Sequence, residues 1–283
     1  MSAPARAVLP RVQHRARPIV NAWNQIGEQV QFYAKTLVGT KDVWVNYKVE
    51  LLRQIAQMSL GVGAMALIGG TIVVVGFLSS QVGSLVAIQV FGTLANIGIE
   101  ALAGFASAYV NTRLAGPVIV GIAMAATIGA GATAQLGAMR INEEIDALEV
   151  IGVRSIPYLC STRLVAGVLL SVPMYCFGMI AAWGATRLGT IVSYGQSTGV
   201  YDHYFNTFLQ PRDVAFALLQ AVFMATVVML IHTYYGYTAS GGPSGVGSAV
   251  GRAVRASLVA VIMILLFVAL GVYGQRAGLN ISG

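Results

Sequence analysis

The stretch Arg140-Ile-Asn-Glu-Glu-Ile-Asp-Ala-Leu-Glu-Val-Ile-Gly-Val-Arg-Ser-Ile-Pro157 decides how this chain is arranged. It contains four of the ten acidic residues of the chain: Glu143, Glu144, Asp146 and Glu149. The apolar runs on either side, residues 114–139 and 164–186, contain no charged side chain. A single acid at the centre of a bilayer costs roughly 2.5–3.5 kcal/mol, so four of them do not lie in lipid. We therefore predict a surface segment between two membrane spans.

The same stretch has the pattern of a short amphipathic helix. Ile141, Ile145 and Leu148 recur at helical spacing and form an apolar face beside the acids. Gly152 can end the helix, which predicts a helix over residues 142–152. A run of charges is often a solvated loop, but apolar residues at regular helical spacing are not expected in an irregular loop. We favour a coupling helix whose apolar side rests on the membrane bundle and whose acidic side contacts a cytoplasmic partner.

The composition is that of a membrane protein with several spans. Of the 283 residues, 57% are apolar and only 10% are charged, whereas soluble domains carry about 25% charged residues. The mean hydropathy is +0.74. The net charge of +7 comes largely from basic residues before the first apolar run, which indicates contact with anionic lipid headgroups. Nucleic acid is not an expected partner, because no basic fold follows this segment.

The segment before the first apolar run divides into two parts. Residues 1–17 are rich in Ala, Pro and Arg, and we expect them to be mobile. Residues 18–52 are expected to form an amphipathic helix at the membrane interface, where aromatic and basic side chains are favourable together. The apolar positions of this helix recur at helical spacing: Ile19, Trp23, Ile26, Val30, Tyr33 and Leu37.

The rest of the chain, residues 53–283, is expected to be one all-α integral membrane domain. Its apolar runs are long enough for five transmembrane helices at a rise of about 1.5 Å per residue. We predict the spans near residues 61–90, 117–139, 163–187, 212–237 and 252–275. Residues 188–210 are predicted to form a polar and aromatic loop, and residues 239–248 a tight loop rich in Gly and Ser.

The positions of Lys and Arg predict the orientation of the spans. Three basic groups belong on the cytoplasmic side: the amino-terminal block, the trio Arg140, Arg154 and Arg163, and the pair Arg252 and Arg255. Five crossings satisfy this arrangement only if residues 91–116 make no net crossing, either as an outer loop or as a re-entrant hairpin. We predict the hairpin, because the segment is too apolar for a solvated loop. The amino terminus is then cytoplasmic and the carboxyl terminus outside.

Two motifs resemble one known family. The segment Gly137-Ala-Met-Arg-Ile-Asn-Glu-Glu-Ile-Asp-Ala-Leu-Glu-Val-Ile-Gly-Val153 resembles the signature of the MlaE/YrbE permeases. A second match, similar to a structural loop of that family, contributes Gly236, Tyr237, Gly241, Gly242, Gly245 and Gly247. The resemblance extends from about Gly61 to the carboxyl terminus. It implies the permease subunit of an ABC-type lipid importer that works with Mce proteins, of the actinobacterial YrbE type.

The resemblance implies several partners. A cytoplasmic ABC ATPase would dock on the coupling helix through Glu143, Glu144, Asp146, Leu148, Glu149 and Gly152. The other partners would be a second YrbE-type permease, Mce-domain lipid-shuttling proteins and membrane lipids. The ATPase would bind ATP and Mg, and no cofactor or metal is expected in this chain, since the glycines at 241–247 lack the Gly-Lys-Ser/Thr ending of a Walker A loop. We thus expect a transport subunit and not an enzyme, one that moves fatty acid, sterol or a related lipid across the inner membrane.

The resemblance also implies a lipid cavity lined by Gln89, Arg113, Gly116 and Pro117. Related permeases read Arg-Glu-Leu-Gly-Pro at this point, whereas this chain reads Arg113-Leu-Ala-Gly-Pro117. Because Leu114 replaces the acid, we expect Arg113 to lack a local partner. The missing acid suggests a heterodimer in which the other permease supplies it, with Glu100 as a possible local substitute. The alternative is that Arg113 snorkels to the outer headgroups.

Two other classes of function stay open. An ion-coupled secondary carrier of amphiphiles would show inverted repeats and acids within spans, and neither is visible. A membrane-embedded lipid-modifying enzyme would show His or Asp clusters near one interface. His232, within a span, is more typical of helix packing than of a proton relay. The pair Asp202-His203 offers too few ligands for a good metal site.

Overall fold

The computed structural model describes residues 9–60 and 70–273, and every regular element within these two ranges is a helix. The prediction of an all-α membrane protein is therefore confirmed. In chain order the helices are α1 (Leu9–Asn46), α2 (Lys48–Leu60), α3 (Gly70–Ala95), α4 (Glu100–Ile141), α5 (Glu144–Val150), α6 (Ile156–Ser193), α7 (Thr198–Phe208), α8 (Pro211–Tyr237) and α9 (Gly242–Val268, continued by a π-helical turn Ala269–Tyr273).

Five of these helices are long and apolar enough to cross a membrane, namely α3, α4, α6, α8 and α9, in agreement with the five predicted spans. α3 and α6 run side by side in the same direction. Their backbones approach so closely that a Cβ at Gly83 would collide with the carbonyl of Ala182, as is typical of small residues between membrane helices. The interior between α4, α6 and α8 is filled by flexible thioethers, which belong to Met124, Met174, Met179, Met224 and Met229.

His232 links three spans in the interior of the bundle. It lies on α8 and is fully buried. Its Nδ1 is 2.8 Å from Oγ1 of Thr133 on α4, and its Nε2 is 3.1 Å from Oγ of Ser257 on α9. Two hydroxyls therefore satisfy both ring nitrogens, as buried polar groups require. This arrangement agrees with the interpretation of His232 as a residue of the helix interface.

The predicted re-entrant hairpin over residues 91–116 is wrong. A turn at residues 96–99 follows α3, and α4 then runs on without a break. Gly98 has a φ of +71°, the left-handed conformation that this sharp turn uses. Pro117, predicted to begin a span, lies inside α4 instead. The π-helical turn Ser107–Ala115 precedes it and widens the helix where the proline ring would otherwise meet the preceding turn.

The amino-terminal helix differs from the prediction in its bounds. α1 begins at Leu9, inside the segment 1–17 that was expected to be mobile, because Ala and Arg are good helix formers. The helix is interrupted at Tyr47, so the segment 18–52 is covered by α1 and α2 rather than by one helix. One side of α1 carries an exposed apolar stripe, which consists of Trp23, Ile26, Val30, Leu37 and Trp44.

The described spans extend beyond several of the predicted limits. The first described residue of α3 is Gly70, and the earlier part of the predicted span, residues 61–69, lies outside the described residues. α6 covers Ile156–Ser193 rather than 163–187. The last span begins at Gly242 rather than at 252, and its predicted final residues 274 and 275 lie outside the described part of the chain.

The predicted loop over residues 188–210 is mostly helical. α6 takes its first part and α7 most of the rest. Aromatic rings hold α7 on the bundle: Phe208 lies 4.7 Å from Phe105 of α4, and Phe205 lies 5.6 Å from Trp183 of α6, between ring centroids. Edge-to-face aromatic pairs of this kind bury large apolar areas, which explains why the segment orders as a helix against the bundle.

The glycine-rich connection between α8 and α9 is shorter than the predicted loop over residues 239–248. Only residues 238–241 leave helical geometry. Gly236 and Tyr237 are the last residues of α8. Gly241 lies in the turn just before α9, and Gly242, Gly245 and Gly247 lie in the first turns of α9. The next residue after Gly242 is a proline, which suits the first turn of a helix and lets α9 start early.

Gly245→Ala is expected to destabilise the fold by about 1–3 kcal/mol, the usual cost of an overpacked contact. A Cβ at this position would collide with the carbonyl of Ser240, which belongs to the backbone of the turn. Gly247→Ala is the matched control in the same helix, because nothing in residues 9–60 and 70–273 lies within 4 Å of its Cβ position. Alanine there is expected to stabilise by roughly 0.5–1 kcal/mol. Thermal unfolding of both variants in detergent measures the difference, and equal stability would contradict the close packing of this turn.

The two ends of the bundle carry different groups. The acidic end consists of α5, the second half of α1 and the α8–α9 turn. There Phe32 lies 5.5 Å from Tyr237 between ring centroids, and Arg154 pairs with Asp42 at 3.0 Å. The opposite end consists of the α3–α4 turn, α7 and the start of α8, where Gln196 donates to the main-chain oxygen of Glu100 at 2.9 Å.

Candidate functional site

The acidic helix α5 is anchored to the bundle by its apolar face. Ile145 is fully buried and Leu148 is half-buried, and both pack in one cluster with Phe32 of α1, Leu136 of α4 and Leu159 of α6. Full burial of a side chain such as Ile145 stabilises by about 1.5–3 kcal/mol. The apolar face of α5 therefore packs against three helices of the bundle at once.

Glu149 holds the carboxyl end of α5 in place. Its carboxylate accepts a hydrogen bond from Oγ of Ser155 at 2.5 Å and another from the hydroxyl of Tyr237 at 3.3 Å. Ser155 and Tyr237 also lie 2.9 Å apart, which closes a small network between α5, the start of α6 and the end of α8. Glu149 was predicted as a contact for a partner, and the structure gives it this second use as an internal anchor.

Left-handed residues bound α5 on both sides and keep it short. The helix covers Glu144–Val150 rather than 142–152. Glu143, just before it, has a φ of 59°, which is unusual for a residue other than glycine. Gly152, just after it, has a φ of +83°. These two reversals turn the chain out of α4 and back into α6, and they present α5 as a separate short helix.

The outer face of α5 combines acids with exposed apolar side chains. Glu143 and Glu144 are exposed, and Asp146 pairs with Arg140 at 2.7 Å in a solvent-accessible position. Such an exposed pair contributes only about 0–1 kcal/mol. Val150 and Ile151 follow with 87% and 72% of their surface accessible. An acidic surface beside two exposed aliphatic residues has the chemistry of a docking site for a basic, partly apolar partner surface.

Arg113 forms an ion pair with Asp213, which corrects the expectation that it lacks a partner. Both Nε and Nη2 of Arg113 donate to the same carboxylate oxygen of Asp213, at 3.1 Å and 2.5 Å. The guanidinium also lies over the ring of Tyr109, 4.2 Å from its centroid. The pair is largely withdrawn from solvent and joins α4 to the first turn of α8 at the opposite end of the bundle.

Asp213, from the same chain, therefore takes the place of the acid that related permeases have at the position of Leu114. Glu100, suggested as a local substitute, has an exposed side chain and does not pair with Arg113. The argument for a heterodimer from a missing acid consequently loses its basis. The sequence did offer one signal for this pair, because Asp213 is one of few acids and lies at the edge of a predicted span. Sequence spacing alone, however, does not show which helices are neighbours.

The other predicted cavity residues differ in their exposure. Gln89 is exposed on the surface of α3. Gly116 and Pro117 are buried in the bundle, and a Cβ at Gly116 would collide with the sulfur of Met179 on α6. Gly116 thus packs closely against α6, and the assignment of both residues to a lipid cavity stays a prediction.

A second ion pair holds α7 at the opposite end. Arg187 of α6 donates to both carboxylate oxygens of Asp202, each at 2.8 Å. These hydrogen bonds hold the pKa of the Asp202 carboxyl below its usual range. The contribution of the pair to stability is thus present above the ordinary pKa of an Asp and is lost as the pH falls through the lowered value. Because Arg187 uses both oxygens, Asp202 is poorly suited to hold a metal with His203.

Comparisons with known proteins identify the family. The family described as Permease MlaE matches residues 62–270. The chain is 30% identical over 203 residues to the chloroplastic protein TRIGALACTOSYLDIACYLGLYCEROL 1 of Arabidopsis thaliana, which is 71% of this chain and 57% of that protein. It is 26% identical over 248 residues to a probable ABC transporter permease protein of Rickettsia felis, covering 87% of this chain and 95% of that one.

A third relative carries a more specific name. The intermembrane phospholipid transport system permease protein MlaE of Haemophilus influenzae is 27% identical over 180 residues, 63% of this chain and 69% of its own length. The five apolar helices agree with a multi-pass protein of the inner membrane. Since the family match covers most of the residues, including α5 and the Arg113–Asp213 pair, this chain belongs to the MlaE family of ABC transporter permeases.

Proposed function

We propose that this chain is the membrane subunit of a lipid transporter and that α5 couples it to a separate ATPase, which binds ATP and Mg. The single observation that carries the proposal is the construction of α5. Its inner face is fixed by Ile145 and Glu149, while Glu144, Val150 and Ile151 point away from the bundle. A helix whose inner face is fixed to the bundle, and whose outer face exposes acidic and apolar side chains to a partner, can transmit the motion of that partner to the bundle.

The path of that motion runs along α4. α5 follows α4 directly, and α4 extends from the acidic end to Arg113 near the opposite end. The 28 residues between Arg113 and Ile141 correspond to about 42 Å at a rise of 1.5 Å per residue. α4 contains two π-helical turns along this path, Ser107–Ala115 and Ala125–Gly129. Such turns are frequent at functional sites, and here they would let α4 bend when the acidic end moves.

The acidic end is proposed to face the cytoplasm, with the amino terminus on that side and the carboxyl terminus outside. The basic residues support this orientation, because short loops rich in Lys and Arg stay inside. Those on or near this end are Lys35, Lys41, Lys48, Arg53, Arg140, Arg154, Arg163, Arg252 and Arg255. The opposite end has only Arg113, Arg187 and Arg212 among the described residues.

The remaining partners are proposed from the resemblance to YrbE permeases. A second permease of this type would lie beside the chain in the membrane, and Mce-domain proteins would deliver lipid at the opposite end. α9 is the least buried of the five spans. Its outward residues, such as Ile262 and Phe267, fit either lipid or another permease. Imported fatty acid, sterol or phospholipid are the candidate cargoes, the last in view of the name of the Haemophilus relative.

Purification of the tagged chain from its native membrane in mild detergent tests the proposal. We expect an ABC ATPase to co-purify in a fixed ratio, and addition of ATP and Mg to give lipid movement when the complex is placed in liposomes. A secondary carrier or a lipid-modifying enzyme would purify without an ATPase. That result would contradict the proposed function.

A further inference from the structure

A cavity of about 490 Å³ lies between α2, the start of α3 and the middle of α4. Its walls are mainly small and apolar residues of α4, with Met58 of α2 and Thr71 of α3 facing them. Two side-chain amides, those of Gln57 and Gln135, also line it. The cavity is thus apolar along its length and carries hydrogen-bonding groups, a combination that suits an amphiphile.

The cavity has the dimensions of part of a lipid. On α4 its lining runs from Ala126 to Gln135, which is about 13.5 Å at a rise of 1.5 Å per residue. Half of a bilayer's hydrocarbon core is about 15 Å deep. Gln135 is the end nearer to Ile141 and so to the acidic end of the bundle. The π-helical turn Ala125–Gly129 forms the far part of the wall.

A buried arginine lies directly behind the polar end. Arg163 has 4% of its surface accessible, and its Nη2 donates to Oε1 of Gln135 at 3.4 Å. Its Nη1 donates to the main-chain oxygen of Leu159 at 2.9 Å, while its Nε has no hydrogen-bond partner in the part of the chain that the structure describes. Among the described residues, no carboxylate lies within 4 Å of this guanidinium. A buried cation without an anion at contact distance is costly and favours an anion nearby.

The nearest candidate for that anion within the chain is already engaged. Glu50 of α2 lies beyond contact distance of Arg163; its carboxylate is 3.8 Å from the guanidinium of Arg53 and accepts a hydrogen bond from Gln54 at 2.6 Å. The charge of Arg163 is therefore directed through Gln135 toward the cavity. Because the Gln135 oxygen faces Arg163, its amide nitrogen is left for a group in the cavity to contact.

We propose that this cavity binds a membrane lipid, with one acyl chain along Ala126–Gln135 and an anionic headgroup at the amide of Gln135. Arg163 attracts the headgroup from behind without touching it. This site lies toward the acidic end, on the opposite half of α4 from Arg113. It requires neither ATP nor a partner subunit, so it stands or falls independently of the proposed transport function.

Two variants and one control test the site without removing the buried arginine. Gly131→Leu fills the cavity, and no atom of the described residues lies within 4 Å of its Cβ position, so the variant is expected to fold. Gln135→Glu places an acid beside Arg163 and repels an anionic headgroup. Gly184→Leu is the matched control, because Gly184 has the same open surroundings but lies on α6 in a different groove.

The measurement is photo-crosslinking of the purified chain in detergent with phosphatidylglycerol that carries a diazirine in its acyl chain. We expect the label on α4 residues 126–135 and on Met58, with about tenfold less labelling by the matching phosphatidylcholine probe. Gly131→Leu should lose the label, Gln135→Glu should reduce it about tenfold, and Gly184→Leu should keep it. Excess inorganic phosphate should not compete, because the acyl chain of the lipid contributes to its binding.

Each contrary result overturns a stated part of the proposal. A label elsewhere, or an unchanged label in Gly131→Leu, would show that the cavity is not the lipid site. Equal labelling by the two probes, or no effect of Gln135→Glu, would remove the role of the anionic headgroup and of Arg163. Full competition by inorganic phosphate would point to a site for the free anion instead of a lipid.

Discussion

Glu144→Lys is expected to reduce ATP-driven lipid transport roughly 30-fold or more while the protein still inserts and folds. Glu144 is exposed on the outer face of α5, and among the described residues its carboxylate accepts only a 3.3 Å hydrogen bond from Asn142. A like charge facing a basic partner surface weakens docking, and a 30-fold loss corresponds to about 2 kcal/mol of docking free energy. The measurement is lipid movement and ATP hydrolysis by the reconstituted complex.

The matched control is Glu100→Lys, which makes the same charge change on an exposed residue at the opposite end. It is expected to leave ATPase docking unchanged. Glu143→Lys and Asp146→Lys should act in the same direction as Glu144→Lys, although the second also breaks the pair with Arg140. Cysteine at the exposed position Ala147 should react with an impermeant maleimide only in inverted vesicles. Undiminished transport by Glu144→Lys, or labelling of that cysteine from outside, would remove α5 as the docking helix.

Asp213→Asn is expected to destabilise the bundle by about 3 kcal/mol and to lower transport with it. Removal of one partner from a buried ion pair leaves the other charge uncompensated, at a cost of about 3–5 kcal/mol. The lower value applies here because the side chains of Arg113 and Asp213 keep 22% and 12% of their accessible surface. Thermal unfolding in detergent gives the change in stability, and liposome assays give the change in transport.

Two further variants separate the charge from the packing at this pair. The exchange Arg113→Asp with Asp213→Arg should recover part of the stability. Leu114→Glu in the Asp213→Asn background restores an acid next to Arg113 and should also recover part of it. Asp202→Asn, which breaks the exposed pair with Arg187 at the same end, is the control and should have a much smaller effect. If Asp213→Asn is no more harmful than Asp202→Asn, then Asp213 does not replace the acid that Leu114 lacks.

The short helix α5 shows how far sequence reasoning reaches. Its existence and its buried face followed from the charges and from the spacing of Ile145 and Leu148, because lipid excludes the acids and a helix aligns the apolar positions. The anchoring of Glu149 by Ser155 and Tyr237 did not follow, since it joins residues 6 and 88 positions apart in the chain. The left-handed Glu143 was equally unpredictable, because local preference disfavours that conformation in a glutamate.

By itself the sequence determined what the membrane enforces on each segment separately: the all-α fold, the five apolar spans and the acidic helix between two of them. Each residue contributes its own free energy of transfer into the bilayer, so composition and periodicity suffice to predict these features. Only the tertiary structure decided that α4 passes through Pro117 without ending, that Asp213 neutralises Arg113 and that Arg163 lies behind the cavity at Gln135. Each of these depends on which helices become neighbours, and that choice is made by packing between distant segments.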